Sequence, residues 1–261
     1  MPIHQKHRPG EFCWAELATS DIEAAKKLYP ELFGWGVEEV PMEGGGSYVL
    51  FTKGEGQVAG GMQQMEHELG KIPPHWNLYV AVDDAEQSAK QAESLGGTIH
   101  APAFDVMDVG RMSVIADPTG AVLGLWEAKV DRPHITQEKD TVVWSELMTP
   151  DPEKAGAFYS ELFGWSREGF EGNADYTVFS QEGSENGVAG MMPPPMEGVP
   201  PVWALYIETD DVDGIAHKVK DAGGQIFMEP TDMAGVGRLA MIADPQNVAF
   251  GLLQPDPDQQ T

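Results

Sequence analysis

The chain has 261 residues, 16 Lys and Arg against 42 Asp and Glu (formal charge −26), 41% apolar residues and a single cysteine, Cys13. That length fits one large domain or two ordinary ones, and the apolar fraction is that of a globular chain. The charge excludes a nucleic-acid or anionic-membrane surface, and the lone cysteine excludes an internal disulfide and a multi-thiolate zinc site.

From the N-terminus, MPIHQKHRPGEF has no hydrophobic leader and no apolar run in the chain reaches 18 residues, so the expected compartment is the cytosol. Residues 12–18 alternate as a strand. Asp21 is placed to cap a helix in which Ile22, Ala25, Leu28 and Leu32 keep helical spacing, and Pro30 late in it predicts a kink or a tightened last turn. A Gly-Trp turn leads to strand-like runs near 35–40, 47–53 and 57–63, with Gly44-Gly45-Gly46 before Ser47-Tyr48 reading as a hairpin turn and not a phosphate loop. The pattern restarts at 76–82 (WNLYVAV), with Asp84 as cap, a helix to about Leu95 and Gly96-Gly97 as its stop. Strands near 98–104, 109–116 and 121–127 follow. The unit is βαβββ, twice in succession.

Beyond DRPHITQEKD (131–140) the chain repeats itself. WAELATSDIEAAKKLYPELFGW at 14–35 returns as WSELMTPDPEKAGAFYSELFGW at 144–165, and VAGGM at 58–62 as VAGMM at 188–192, both shifted by 130. The shift then becomes 127: Trp76 with Trp203, Asp83-Asp84 with Asp210-Asp211, Gly96-Gly97 with Gly223-Gly224, Val-Gly-Arg at 109–111 with 236–238, and Ala-Asp-Pro at 116–118 with 243–245. In the second copy Asp151-Pro152 puts proline at the first helical position, and Ala155, Phe158 and Leu162 keep the spacing. The expected organisation is a first domain over 11–128, a linker over 129–140 and a second domain over 141–254. One βαβββ unit leaves a sheet face open, so two units are expected side by side. The expected fold class is α+β: four βαβββ units in two domains, each an eight-stranded curled sheet around a cleft with helices outside. Of the segments joining paired units, MEHELGKIPP and MPPPMEGVPP, the second reads as extended and stiff. Both halves are acidic, with 9 basic and 19 acidic residues in 1–130 (−10) and 7 and 23 in 131–261 (−16). Such diffuse charge serves solubility or a salty interior more directly than it defines a site for a cation.

The βαβββ doublet, the string Asp151…Phe158-Tyr159…Leu162-Phe163-Gly164-Trp165, and DPTGAVLGLWE at 117–127 resemble the vicinal oxygen chelate superfamily, which holds glyoxalase I, extradiol dioxygenases, fosfomycin-resistance enzymes and bleomycin-resistance proteins. The likeness covers about 11–128 and 141–254, and is narrowest with two-domain bacterial proteins labelled glyoxalase-like or hydroxylase. It implies, for members that use a divalent metal, ligands from four inward strand positions. Carried onto this chain those positions hold Trp14 and Trp144, Asn77 and Ala204, and Gly124 and Gly251, and neither 58–63 nor 188–193 contains Asp, Glu or His. No cofactor is therefore expected, and metal catalysis by the family route is disfavoured.

Strand alternation supplies a substitute. If Trp14 faces the cleft so does Glu16, with Cys13, Ala15 and Leu17 on the helix side; Trp144 and Glu146 agree, against Val143, Ser145 and Leu147. Parity adds Asn77 and Tyr79 to the first cleft and Ala204 and Tyr206 to the second, while Arg111 and Arg238 start strands near the mouth and Trp126 lies in the first half only. Such a pocket suits a flat or aromatic small molecule, with Glu16 and Glu146 as candidate catalytic groups. Duller readings stand beside these. The tryptophans can plug the space of a metal, and the two glutamates can pair with Arg111 and Arg238. His75 and His100 read as ordinary surface or core residues, Cys13 as a small buried hydrophobe, and Met62, Met65, Met191 and Met192 as filling. The leading expectation is a metal-free small-molecule binding protein, monomer or homodimer, with no nucleic-acid or membrane partner. The alternative is a glyoxalase- or isomerase-type enzyme using Glu16 or Glu146 as base, with or without an unusual metal. A third idea makes one half a degenerate structural partner, the first cleft being the more polar.

Overall fold

A computed structural model describes residues 3–4, 6–42, 46–64, 71–170, 173–182 and 187–256. After β1 (Ile3–His4), the first unit comprises β2 (Phe12–Thr19), α1 (Ile22–Phe33), β3 (Gly36–Pro41), β4 (Ser47–Lys53) and β5 (Gly56–Gln63). The second comprises β6 (His75–Ala81), α2 (Ala85–Ser94), β7 (Thr98–Val106), β8 (Gly110–Ala116) and β9 (Val122–Ala128). Within the expected linker lies β10 (His134–Ile135). The third unit is β11 (Val142–Met148), α3 (Pro152–Phe163), β12 (Ser166–Phe170), β13 (Asn173–Ser180) and β14 (Ala189–Met192). The fourth is β15 (Val202–Glu208), α4 (Val212–Asp221), β16 (Gln225–Met233), β17 (Gly237–Ala243) and β18 (Ala249–Pro255).

All four helices begin on an aspartate whose carboxylate accepts a backbone N–H inside the first turn: Asp21 from Ala24, Asp84 from Gln87, Asp151 from Lys154 and Asp211 from Gly214. Each satisfies one of the donors a helix start leaves unpaired. Both α1 and α3 end at a glycine in the left-handed region, Gly34 at φ 69° and Gly164 at φ 73°. α1 runs through Pro30 to Phe33 and keeps the 12-residue length of α3, which has Ser160 there.

Within each unit the first strand lies parallel to the last, β2 to β5, β6 to β9, β11 to β14 and β15 to β18, a pairing that needs the long crossover the helix supplies. Antiparallel pairing of β2 with β6, and of β11 with β15, joins the units of each half. The second sheet has the expected eight strands, in the order β12-β13-β14-β11-β15-β18-β17-β16. The first has ten, because β10 pairs with β5 at His134–Gln57 and β1 adds to β10. β3 and β4 form the expected antiparallel pair, Pro41 opposite Ser47; Gly44 and Gly45 of the glycine run lie outside the described residues, as do 65–70 of MEHELGKIPP. The MPPPMEGVPP segment bends and turns at 195–198 instead of running straight, with Gly198 at φ 91° between the proline runs. No helix among the described residues is long and apolar enough to cross a membrane.

The helices pack on the sheet face away from each cleft, and that face is turned to the other half. One apolar core therefore spans both domains. Tyr29 of α1 meets Trp76 of its own sheet edge-on and Phe250 of the other sheet, and Phe12 lies against Trp165 and Trp203. Reciprocal polar contacts cross the same boundary. The Tyr29 hydroxyl donates to Asp244 Oδ2 (3.1 Å), the Trp35 indole to the Asp140 carbonyl (2.7 Å) and the Trp165 indole to the Gly10 carbonyl (2.9 Å).

Two paired clefts built on tryptophan, tyrosine and glutamate

Lateral rows across the sheets set the two clefts. In the first, Glu16 lies between Gly60 and Asn77, and Tyr79 between Trp14 and Gly124. In the second, Glu146 lies between Gly190 and Ala204, and Tyr206 between Trp144 and Gly251. The Trp14 indole N–H donates to the Tyr48 hydroxyl at 2.9 Å, Tyr48 hydrogen-bonds Glu16, and the Tyr79 hydroxyl donates to Glu16 Oε1 at 3.0 Å. The second domain repeats the chain of contacts, each at 2.9 Å: Trp144 to Tyr176, Tyr176 to Glu146 Oε2, and Tyr206 to Glu146 Oε1.

Glycines make room for it. A Cβ on Gly60 would sit 1.9 Å from the Tyr48 hydroxyl, and one on Gly190 at the same distance from Tyr176. A Cβ on Gly124 or Gly251 would enter the ring of Tyr79 (2.2 Å) or Tyr206 (2.1 Å). Sequence reading passed over Tyr48 and Tyr176. Their signal is the repeat itself, which puts a tyrosine two residues before Leu50 and Val178, the residues that pair with Gly60 and Gly190.

Burial pushes the Glu16 and Glu146 carboxyls above the ordinary carboxylate range, opposed by the tyrosine hydrogen bonds and, at Glu16, by nearby His75. The four phenols are raised first by burial and then by the carboxylate each one faces, so they remain protonated donors. The two sites differ in access. Glu146 is 6% exposed and Glu16 is half-buried.

The structure brings Trp14, Glu16, Asn77 and Tyr79 together, with Trp126 in a cluster beside Trp14, Tyr79 and Met112; Trp144, Glu146 and Tyr206 meet likewise. It does not bring the arginines. Arg111 bonds Glu86 in the first turn of α2 (3.1 Å), and Arg238 bonds Asp213 of α4 and Asp232, because strand parity turns both to the helix side. Neither glutamate pairs with an arginine; tyrosines hold both. Cys13 is buried as expected but on the cleft side, clustered with Tyr79 and Ala81, its thiol 3.4 Å from the Tyr79 carbonyl. A register shift between Phe12 and Trp14 breaks the alternation that had set Cys13 with Ala15, and the same shift between Val142 and Trp144 does so for Val143. His100 is exposed on β7 and Met191 fills the core, while Met65 lies outside the described residues. His75 has a place in the cleft, its Nε2 3.1 Å from Asn77 Oδ1. His134, from the expected linker, lies with its ring 5.4 Å from Trp14.

The residues present do not fit the divalent metal of the family. The inherited positions carry an indole (Trp14), an amide (Asn77) and a glycine (Gly124) covered by the Tyr79 ring, and the nearest carboxylate, Glu16, is engaged by two phenol donors. No group of three or more His, Cys, Asp or Glu able to hold a metal occurs among the described residues.

The model of the Glyoxalase/Bleomycin resistance protein/Dioxygenase superfamily matches residues 12–125 and 134–252. Over 266 aligned residues, 99% of this chain and 100% of the relative, the sequence is 40% identical to a Mycobacterium tuberculosis protein named "Putative glyoxylase CFP32". It is 30% identical to the anthracycline biosynthesis protein DnrV of Streptomyces peucetius over 94% of each chain. Among solved structures, the Mn(II)-bound glyoxalase from Novosphingobium aromaticivorans superposes with a TM-score of 0.65 at 15% identity, over 97% of this chain and 86% of that one. The 2,3-dioxygenase LapB from Pseudomonas sp. KL28 does so at 0.64 and 14%, over 99% and 96%. At those identities the likeness is one of fold. With a family model covering both halves and a full-length relative at 40% identity, the chain belongs to the glyoxalase/bleomycin resistance protein/dioxygenase superfamily.

Proposed function

We propose that the protein binds a flat, aromatic small molecule in its first cleft, without the divalent metal of its family. One observation carries this reading: a half-buried tryptophan and a half-buried carboxylate, Trp14 and Glu16, share one cleft wall and are held in place by Tyr48 and Tyr79. The indole is a platform for stacking and the carboxylate an acceptor for a ligand hydroxyl or amine. The name of the DnrV relative supports the ligand class, since an anthracycline is a planar fused-ring molecule.

Magnitudes require both parts. Burying about 300 Å² of apolar ligand surface at about 25 cal/mol/Å² yields roughly 7 kcal/mol, against association costs of at least about 4 kcal/mol. Stacking alone therefore leaves binding in the millimolar range, and useful affinity draws on Glu16 and its neighbours.

The test is titration with 1,4-dihydroxyanthraquinone, which carries ring hydroxyls, and with unsubstituted anthraquinone, which does not, followed by tryptophan fluorescence. Trp14→Ala is expected to weaken binding by at least about tenfold, the worth of one aromatic contact with its buried area, and Glu16→Gln to weaken it further for ligands that donate a proton. Unchanged binding in both variants would discard the cleft as the site. Turnover of the glutathione–methylglyoxal hemithioacetal, lost in Glu16→Gln, would instead favour the alternative in which Glu16 acts as a base.

A further inference from the structure

The halves repeat the Trp–Tyr–Glu–Tyr contacts but diverge one row further along each sheet. In the first half that row reads Ala81, Trp126, Met112 and Phe104 on β6, β9, β8 and β7. In the second it reads Glu208, Leu253, Leu239 and Thr231 on β15, β18, β17 and β16. Trp14, Trp126 and Met112 pack against the buried Cys13, Tyr79 and Ala81, and each stays partly exposed. Phe104, opposite Met112, is 48% exposed. A glycine lets this strip lie flat: a Cβ on Gly110 would sit 2.3 Å from Trp126 Cζ2, so the indole spreads over β8. The two ends of the strip differ. On the β10 side His134 stands against Trp14, 7% exposed, its ring 5.4 Å away and its Nδ1 3.0 Å from His7 Nε2. On the β7 side Phe104 opens to solvent.

We infer that the strip from Trp14 through Trp126 to Met112 and Phe104 selects ligands by length, taking a planar polycycle of at least three fused rings. Its hydrogen-bonding end lies beside Glu16 and its apolar end over Trp126. The inference rests on the ligand reading proposed above and adds the ligand's length and direction. Strand spacing sets the scale. β9 and β8 are the second and third strands across from β2, so Trp126 stands about 10 Å and Met112 about 14 Å from the Trp14 strand, at about 4.8 Å per step. A molecule of one or two rings that touches Glu16 falls short of them, whereas three or four fused rings reach. Aromatic side chains left open along one cleft wall are apolar surface available to a ligand, and covering them rewards each added ring. The second half offers no such reward, because its row begins at the Glu208 carboxylate and ends at the exposed hydroxyl residue Thr231.

The test uses three probes that share one dihydroxyquinone unit and differ in ring number: 5,8-dihydroxy-1,4-naphthoquinone, 1,4-dihydroxyanthraquinone and 6,11-dihydroxy-5,12-naphthacenequinone. Their affinities for the intact chain are read by equilibrium dialysis. Each added ring should tighten binding by about tenfold, the worth of its buried apolar area, with one site per chain. Trp126→Leu, which installs the residue of the second half, should cut the gain between two and four rings by at least about tenfold. Phe104→Ser, at an exposed position outside the core, should weaken the four-ring probe more than the two-ring one. A merely structural Trp126 would weaken all three probes alike. Leu253→Ala, at the matching position of the other half, should leave the gain with ring number unchanged. Sedimentation of Phe104→Ser beside the wild type checks the other occupant: a dimer that dissociates in the variant would make the strip a contact between copies and overturn its ligand role. If the wild type shows no gain with ring number, or both variants keep it, the length reading is overturned while the Trp14–Glu16 site stands. If no probe binds the wild type, both fall together.

Discussion

Glu146 sits under two phenol donors with almost no access to water, and it illustrates what a single buried carboxylate does to the pH response of a fold. Its pKa is raised in the folded chain by burial, from an ordinary value of 4.5. Between those two values the folded state holds a proton that the unfolded state has released, so the contribution of this group to stability is fully present below pH 4.5 and is lost as pH rises through the folded value. Glu146→Gln removes this titration. The difference in stability between wild type and variant, measured by urea unfolding from pH 4.5 to 7, should drift against the wild type with rising pH; a flat difference would show that the carboxylate is not desolvated as described. The residue types at the clefts were legible in the sequence, because Trp14, Glu16, Tyr79 and their copies follow from alternation along β2, β6, β11 and β15. Tyr48 was not. It comes from a strand whose reach over Gly60 depends on how β4 lies on β5, which no local pattern encodes.

At the scale of elements, capping aspartates and left-handed glycines punctuate the helices where residue chemistry says they should. The strands carry a subtler requirement. β5 and β14 contribute Gly60 and Gly190 at the point where a tyrosine crosses them. Gly190→Ala would place a methyl group 1.9 Å from the Tyr176 hydroxyl and displace it from Glu146. Overpacking of this kind costs about 1–3 kcal/mol, seen as a lower urea midpoint at unchanged slope; an unchanged midpoint would mean that the tyrosine has somewhere else to go. A register shift early in β2 and β11 explains why period-two reading misplaced Cys13 and Val143 while placing Trp14 and Trp144 correctly. Alternation holds only on the far side of the bulge. The arginines failed for a different reason. Arg111 shares its strand face with Ile115, and Arg238 with Ala240 and Ile242, the core side, where the first-turn acids Glu86 and Asp213 receive them.

Over the whole molecule the two halves share one apolar core. Tyr29 of the first half reaches Asp244 of the second, and Tyr159 of the second faces Asp117 of the first, with the Trp203 indole donating to the Tyr159 hydroxyl at 2.8 Å. Asp117 and Asp244 each hold a turn with one carboxylate oxygen, accepting backbone N–H groups from Ala121 and Val248, and turn the other toward the neighbouring half. The FY..LFGW and Asp-Pro strings that mark the family in this chain therefore serve the junction between domains, not the clefts. Tyr29→Phe strands a buried Asp244 oxygen and should cost about 1–3 kcal/mol. In a double-mutant cycle with Asp244→Asn the two losses should be non-additive, and heating the wild type should give a single calorimetric transition. Additive losses, or two resolved transitions, would show that the halves are independent.

The repeat, the helix caps and the four βαβββ units were properties of the sequence alone, because each depends on residue type at short spacing or on like residues recurring in the same order. The two-strand extension of the first sheet, the tyrosines over the glycines, the helix-side arginines and the His75–Asn77 contact were decided only by the tertiary structure. They depend on which strand lies beside which and which face a side chain takes when an oppositely charged partner waits there. Two halves alike in sequence thus came to differ beside the carboxylate, Asn77 and His75 in one against Ala204 and Val202 in the other, through a few side chains whose meaning appears only across the sheet.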